Sequence, residues 1–346
     1  MAAHEHLTER ELRVLEAVIQ TYVETAEPAG SQTIAKRFGL GVSAATIRNT
    51  MSDLEEKGYL YHPHTSAGRI PTDRGYRLYV DSLMRLSPPS DQARHALQAE
   101  LSGPANALEE ILRRAAQVLG VLTQELGVAV APAFCELVLE RLDLIQVASD
   151  RLLLVFHLRS GVVRTIFVQI PATVANEDMV HRVASVLNER LAGLTLDEIR
   201  QSVGERLRDA GDAEATELLH IFIAEGEEIF ALPNAGETVV LGSAQLLAEQ
   251  PEFASNNTRM RDLLELTERR DFLRQALHAR RRQGLTITIG GENLDPKLSD
   301  FTLVTSSYRA GDVSGVIGVM GPTRMPYDKI IGLVQHTSRL VEGLLQ

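Results

Sequence analysis

The stretch SAATIRNTMSDLEEKGYL, residues 43–60, decides how this chain is read. Ser43 is an N-cap candidate, and the helix it opens should run to about Lys57, before Gly58. At about 100° per residue, Ile47, Met51 and Leu54 fall on one side and must pack inward. Ala45, Arg48, Asn49 and Ser52 then lie opposite, with Thr46 at the edge of that face and Thr50 flanking the apolar one. The acids Asp53, Glu55 and Glu56 come only in the second half, so the first half is acid-free.

Upstream, Leu12, Leu15, Ile19 and Tyr22 share one helical face, and that run stops at Glu27-Pro28-Ala29-Gly30. Ser31 reads as the cap of a short helix over Gln32–Phe38, and Gly39-Leu40-Gly41-Val42 as a tight turn with two residues free to take positive φ. Helix, glycine-containing turn and helix in this spacing make a helix-turn-helix. Downstream, Tyr59 to His62 and the stretch to Ile70 read as two short strands around a polar loop, a wing. An outward face of Arg, Asn, Ala and Thr matches the major groove, where Arg bridges guanine O6 and N7 and Asn bridges adenine N6 and N7. The wing would offer side chains to phosphates or the minor groove. The candidate DNA contacts are therefore Ser43, Ala45, Thr46, Arg48, Asn49, Ser52, His64, Thr65, Ser66 and Arg69. Three helices with a hairpin also occur as protein-interaction domains; the segregated acids and basic loop favour DNA.

Charge agrees with a local contact. The whole chain of 346 residues carries a formal −11, which excludes a non-specific nucleic-acid coat. Residues 28–85 alone hold 8 basic and 5 acidic side chains, a balance of +3. The single Cys135 rules out an intrachain disulfide or a thiolate metal site, and reads as a small buried hydrophobe in a reducing compartment. The N-terminal residues carry acids and no apolar h-region, and no run approaches the roughly 20 apolar residues of a membrane helix. A cytoplasmic protein with no membrane contact is expected.

Leu86-Ser87-Pro88-Pro89-Ser90 marks a boundary near 86–92. Helical spacing covers 92–126, interrupted at Gly103-Pro104, and residues 136–170 change to the pattern of an antiparallel meander. Helices return over 176–231 and 257–282. Strands follow at Leu285–Ile289, Phe301–Ser307 and Ser314–Met320, then a helix over Tyr327–Leu345. Strands parted by a helical block suggest a sheet domain carrying an insertion.

Two patches are more specific than a generic winged helix. The run ATIRNTMSDLEEKGYL (45–60) with PHTSAGRIPTDRGYRLYVD (63–81), and far away IGGEN (289–293), DFTLV (300–304) and GPTRMPY (321–327), resemble the HrcA family of heat-inducible transcription repressors. The resemblance covers nearly the whole length, with 173–255 matching only in position and helical character. Thr50 departs from it, standing where an acid is expected. What the resemblance implies is an α+β multidomain protein: a winged helix-turn-helix over 1–88, a GAF-like α/β domain over 92–172 and 256–346, and an inserted, mostly helical dimerisation domain over 173–255. It implies a homodimeric repressor that binds double-stranded DNA at an inverted-repeat operator, the CIRCE element, upstream of chaperone operons. It also implies dependence on the GroEL chaperonin as partner.

No catalytic residue, cofactor site or metal site is read. Gly290-Gly291-Glu292 reads as a tight turn after a strand, and His62 with His64 lacks a third ligand. Arg324, in the proline-rich segment 321–327, reads as capping carbonyls or pairing with an acid, with a ligand or interdomain contact as the functional alternative. Arg280-Arg281-Arg282 reads as a solvated helix end, or a second phosphate surface. A small-molecule-responsive winged-helix regulator with a GAF-like sensor remains the alternative function.

Overall fold

The computed structural model describes residues 7–63, 68–102, 108–132, 136–159, 163–171, 177–208, 216–230, 238–310 and 313–345. Helices and sheets are mixed, and the chain divides into two compact units: 1–129 with 239–307 and 316–341, and 130–238 with 308–315 and 342–346.

The first unit begins with α1 (Glu9–Thr25), α2 (Ser31–Phe38) and α3 (Ala44–Glu56), followed by β1 (Leu60–Tyr61) and β2 (Ile70–Pro71). Thr8 and Glu11 start α1 with a reciprocal capping box, and Val14, Leu15, Val18 and Ile19 bury its apolar stripe. Ser31 is not a cap, as the sequence suggested, but the first residue of α2: Gly30 takes the extended cap position and the Ser31 side chain is buried. Gly39 and Gly41, at φ 53° and 74°, turn the chain into α3 through the left-handed region that side chains disfavour. The two short strands pair antiparallel, Leu60 with Pro71 and Tyr61 with Ile70. Then come α4 (Asp73–Leu78), a π-helical turn over Tyr79–Leu83, and the pair α5 (Asp91–Leu101) and α6 (Leu108–Thr123).

A five-stranded sheet, in the order β7-β3-β10-β9-β8, dominates the rest of this unit. Its strands are β3 (Leu126–Val130), β7 (Val239–Leu241), β8 (Thr286–Ile289), β9 (Phe301–Ala310) and β10 (Val313–Pro322). The last three stand within a few residues of where the sequence placed them; β3 and β7 were not expected. β3 is buried along its whole length, so it carries no alternation to read. Between β7 and β8 lie α11 (Ala244–Ala248), α12 (Pro251–Ala254), α13 (Asn257–Glu268) and α14 (Arg270–His278). The closing helix α15 (Tyr327–Leu344) buries Ile330, Ile331, Val334 and Val341, and its Ser338 donates to the Ser307 carbonyl at 2.7 Å.

The second unit holds a separate three-stranded sheet, β4 (Leu139–Ala148), β5 (Arg151–Leu158) and β6 (Val163–Gln169), antiparallel throughout. It also holds α7 (Glu177–Leu191), α8 (Leu196–Leu207), α9 (Thr216–Ala224) and α10 (Gly226–Phe230). Asn188 of α7 ties helix to sheet, its Oδ1 accepting from Leu142 N at 2.8 Å while its amide donates to Leu142 O. The meander thus lies with the helical block and not with the terminal strands, so the division falls elsewhere than at 173 and 255. The reason is burial: Leu142, Leu144, Leu152, Leu154 and Phe156 need a cover, and the next helix supplies it.

Candidate nucleic-acid interface

Ser43 caps α3: its Oγ accepts from Thr46 N at 3.1 Å and lies 3.0 Å from Thr46 Oγ1. No acid stands in the first turn, so α3 sets no carboxylate of its own against the positive end of its dipole. Ile47, Met51 and Leu54 are buried, and Thr50 is buried with them, its hydroxyl donating back to Thr46 O at 3.1 Å. That fixes the rotation of α3. Ala45, Arg48 and Asn49 are exposed, with Thr46 and Ser52 half-covered beside them. Neither Arg48 nor Asn49 has a hydrogen-bonded or ionic partner among the described residues, so both are free to meet a ligand.

Anchoring comes from the far end. Lys57 bonds Glu11 at 2.7 Å, tying the end of α3 to the start of α1. Burial alone would raise the Glu11 pKa, but the bonds from Lys57 and Thr8 outweigh it and hold the carboxyl ionised below its ordinary range.

Arg69 is placed differently from the free loop cation the sequence suggested. Its backbone pairs with Ala29, N to O at 3.0 Å and O to N at 2.9 Å, and its guanidinium bonds Glu55 in the last turn of α3 at 2.7 Å. The Arg69 side chain is only 18% exposed and its Nε is buried without a partner. His64, Thr65 and Ser66 lie outside the described residues, as does Cys135.

Two arginines that the sequence reading passed over stand near the same face. Arg10 and Arg13, exposed on α1, line a cleft with Glu9, Val14, Leu40 and Val42, the last preceding Ser43 in the chain. Their signal was present: two cations three residues apart, off the apolar stripe of α1.

The remaining constellations are structural. Among the described residues no group of three or more His, Cys, Asp or Glu could hold a metal ion, and no helix is long and apolar enough to cross a membrane. Gly290–Glu292 forms a tight turn after β8. Arg280 and Arg281 are buried, 7% and 6% exposed, which corrects the expected solvated helix end. The chain tightens there into a 3-10 turn, and Arg280 reaches the hydroxyls of Thr288 and Thr305 on β8 and β9. Desolvation lowers the Arg280 pKa to about 10.

Comparison with known proteins follows the same direction. Residues 109–331 match the family model "HrcA protein C terminal domain". Heat-inducible transcription repressor HrcA of Chlorobium limicola is 38% identical, covering 95% of this chain and 95% of its own. Its counterpart in Prosthecochloris aestuarii is 36% identical, again with 95% of both chains covered. A crystal structure described only as that of a hypothetical protein aligns over 98% of this chain and 99% of its own, at 26% identity and a TM-score of 0.66.

Proposed function

The chain belongs to the HrcA family of heat-inducible transcription repressors, and from that premise we propose that it reads an inverted-repeat operator, the CIRCE element, as a homodimer. The operator lies upstream of chaperone operons, and the GroEL chaperonin keeps the repressor competent until heat-damaged proteins occupy it. The chain works in the cytoplasm, where the chromosome lies.

One observation carries this reading: the first half of α3 presents Arg48 and Asn49 unpaired and outward, while Ile47, Met51 and Leu54 hold its other side. On it, α1–α3 with β1 and β2 form a winged helix, α3 is the recognition helix, and the five-stranded sheet with its helices is the GAF-like body. Arg48 takes guanine, Asn49 adenine, and the Ala45 methyl a thymine methyl. Ser43, Thr46, Ser52, His64, Thr65, Ser66 and Arg69 serve phosphates or groove edges.

The homodimer is supported by the outer face of the three-stranded sheet. Ile145, Leu153 and Phe167 pair in one row across it, and Phe167 is 65% exposed, with Val147 and Val163 also open. Apolar sheet surface of this kind is what an isologous contact buries.

The deciding experiment is a gel shift on the purified chain. Tight binding is expected on the inverted repeat and not when its arms are displaced by half a turn, about 5 bp. Equal affinity for both would sink the symmetric-dimer reading. A heat pulse should lower binding and added chaperonin restore it. A cavity of about 250 Å³ floored by Phe253, Leu266, Phe272 and Phe301 favours the second reading, a small-molecule sensor. A ligand-induced rise in melting temperature, with no response to chaperonin, would select it.

A further inference from the structure

Three motifs that stood apart in the sequence meet at one place, where the N-terminal helices contact the rest of the first unit. Arg77 of α4 donates from Nε to Glu292 at 2.7 Å and from Nη2 to the Ile287 carbonyl at 2.8 Å, with a second bond to the other Glu292 oxygen. Asp73, in the first turn of the same helix, accepts from Gly291 N at 2.8 Å. Gly290 makes this approach possible: it holds φ 53°, and a Cβ there would collide with the Asp73 carboxylate. Tyr76 lies between, its ring 5.8 Å from that of Tyr327.

A second attachment grips α1. Its last turn contains no basic residue, so its terminal carbonyls lack a cation of their own. The cation comes from Arg324, whose Nη1 donates to Val23 O at 2.8 Å. The same guanidinium is held by Glu252 at 2.5 and 3.1 Å and by Gln250 at 3.0 Å. The helices that carry α3 are thus fixed at two separate elements, while the Arg48–Asn49 face stays uncovered. The contact orients α3 without hiding it.

We propose that Arg77–Glu292 and Arg324–Val23 are positioning contacts that hold the DNA-reading helices in one orientation, so that operator spacing, rather than half-site sequence, is what they determine. This rests on the operator-reading proposal above. A dimer discriminates spacing only if each recognition helix is held rigidly; on a loose joint the second arm would find a displaced half-site at little loss.

The test uses the full chain as wild type, Glu292→Ala, and Glu292→Ala with Arg324→Gln. Each is measured on a single half-site, on the native inverted repeat and on the repeat displaced by about half a turn. Wild type is expected to prefer native spacing by about 100-fold or more, as a rigid bivalent contact allows. The double variant should fall below about 10-fold discrimination, with half-site affinity within about 3-fold of wild type. If it does not fold, Glu292→Ala alone must lower discrimination by at least about 3-fold, since Glu292 bonds Arg77 and none of the residues proposed to meet DNA. Unchanged discrimination overturns the proposal, and so does a parallel loss on the half-site, which would make the contacts merely structural. Wild type that prefers no operator would sink the operator reading itself, a separate result.

Discussion

The Arg69 guanidinium lies 2.7 Å from the Glu55 carboxylate, closing the strand after the hairpin loop onto the last turn of α3. Glu55 therefore competes with any phosphate for the same cation. Removing the acid should release it: Glu55→Gln is expected to tighten binding to all DNA sequences and steepen the salt dependence by up to about one phosphate contact. Arg69→Ala should do the reverse, weakening every sequence alike. Fluorescence anisotropy across a salt series checks both, and identical slopes in the three proteins would mean Arg69 meets no phosphate even when released from Glu55.

Arg48 and Asn49 should behave differently from Arg69 because they meet bases. Arg48→Ala is expected to cost about 1–3 kcal/mol on the operator and to relax preference at one base pair. Competition against a panel of single-base operator variants reads this directly. A uniform loss over the panel would make Arg48 a phosphate contact.

Phe167, 65% exposed on the sheet, should report the dimer. Phe167→Asp is expected to dissociate the homodimer in sedimentation while the monomer keeps its far-ultraviolet dichroism, since the side chain leaves its own subunit's core untouched. An unchanged sedimentation coefficient would move the interface elsewhere.

Glu125 should set a pH dependence. It is 2% exposed and one of its carboxyl oxygens is buried without a partner. Desolvation pushes its pKa well above the ordinary 4.5; Arg324 pulls it down and Glu252 pushes it further up. The folded chain holds the proton while the unfolded chain loses it above about 4.5, so the stability that Glu125 contributes is intact below that pH and falls as pH rises. Glu125→Gln, which does not titrate, should gain on wild type in melting temperature between about pH 4.5 and 7. Parallel melting curves across that range would mean the carboxyl ionises in place.

Arg280 is buried beside hydroxyls, and no carboxylate partners it among the described residues. Those hydroxyls keep other acceptors, Thr288 bonding Asn293 Oδ1 at 2.6 Å and Thr305 the Thr286 carbonyl at 3.3 Å. Arg280→Met should therefore leave the melting temperature equal or higher, because a desolvated charge without a partner costs more than an apolar chain of similar length. A fall of several degrees would mean the guanidinium holds β8 to β9.

The phase of α3 was legible because Ile47, Met51 and Leu54 repeat at the helical period, and Thr50 followed from the same angle. α15 was legible for a like reason, since one of its faces is wet; β9 and β10 are buried almost throughout and were read instead from apolar, β-branched runs bounded by turn residues. Ser31 was misplaced by one position because Gly30 caps without a side chain, and β3 stayed hidden because only Gln124 and Glu125 part it from α6, so its apolar residues read as the end of the helical run. Arg280 and Arg281 were misread because a run of cations usually marks solvent.

Periodicity alone determined which side of the third helix is free and which residues it offers, since greasy spacing needs nothing but the chain's own geometry. Only the tertiary structure decided which cations are engaged. Arg69 with Glu55, Arg77 with Glu292 and Arg324 with Val23 join residues from 14 to 301 positions apart. The partner of a guanidinium depends on what folding brings within about 3 Å, and no local pattern in a sequence encodes that distance.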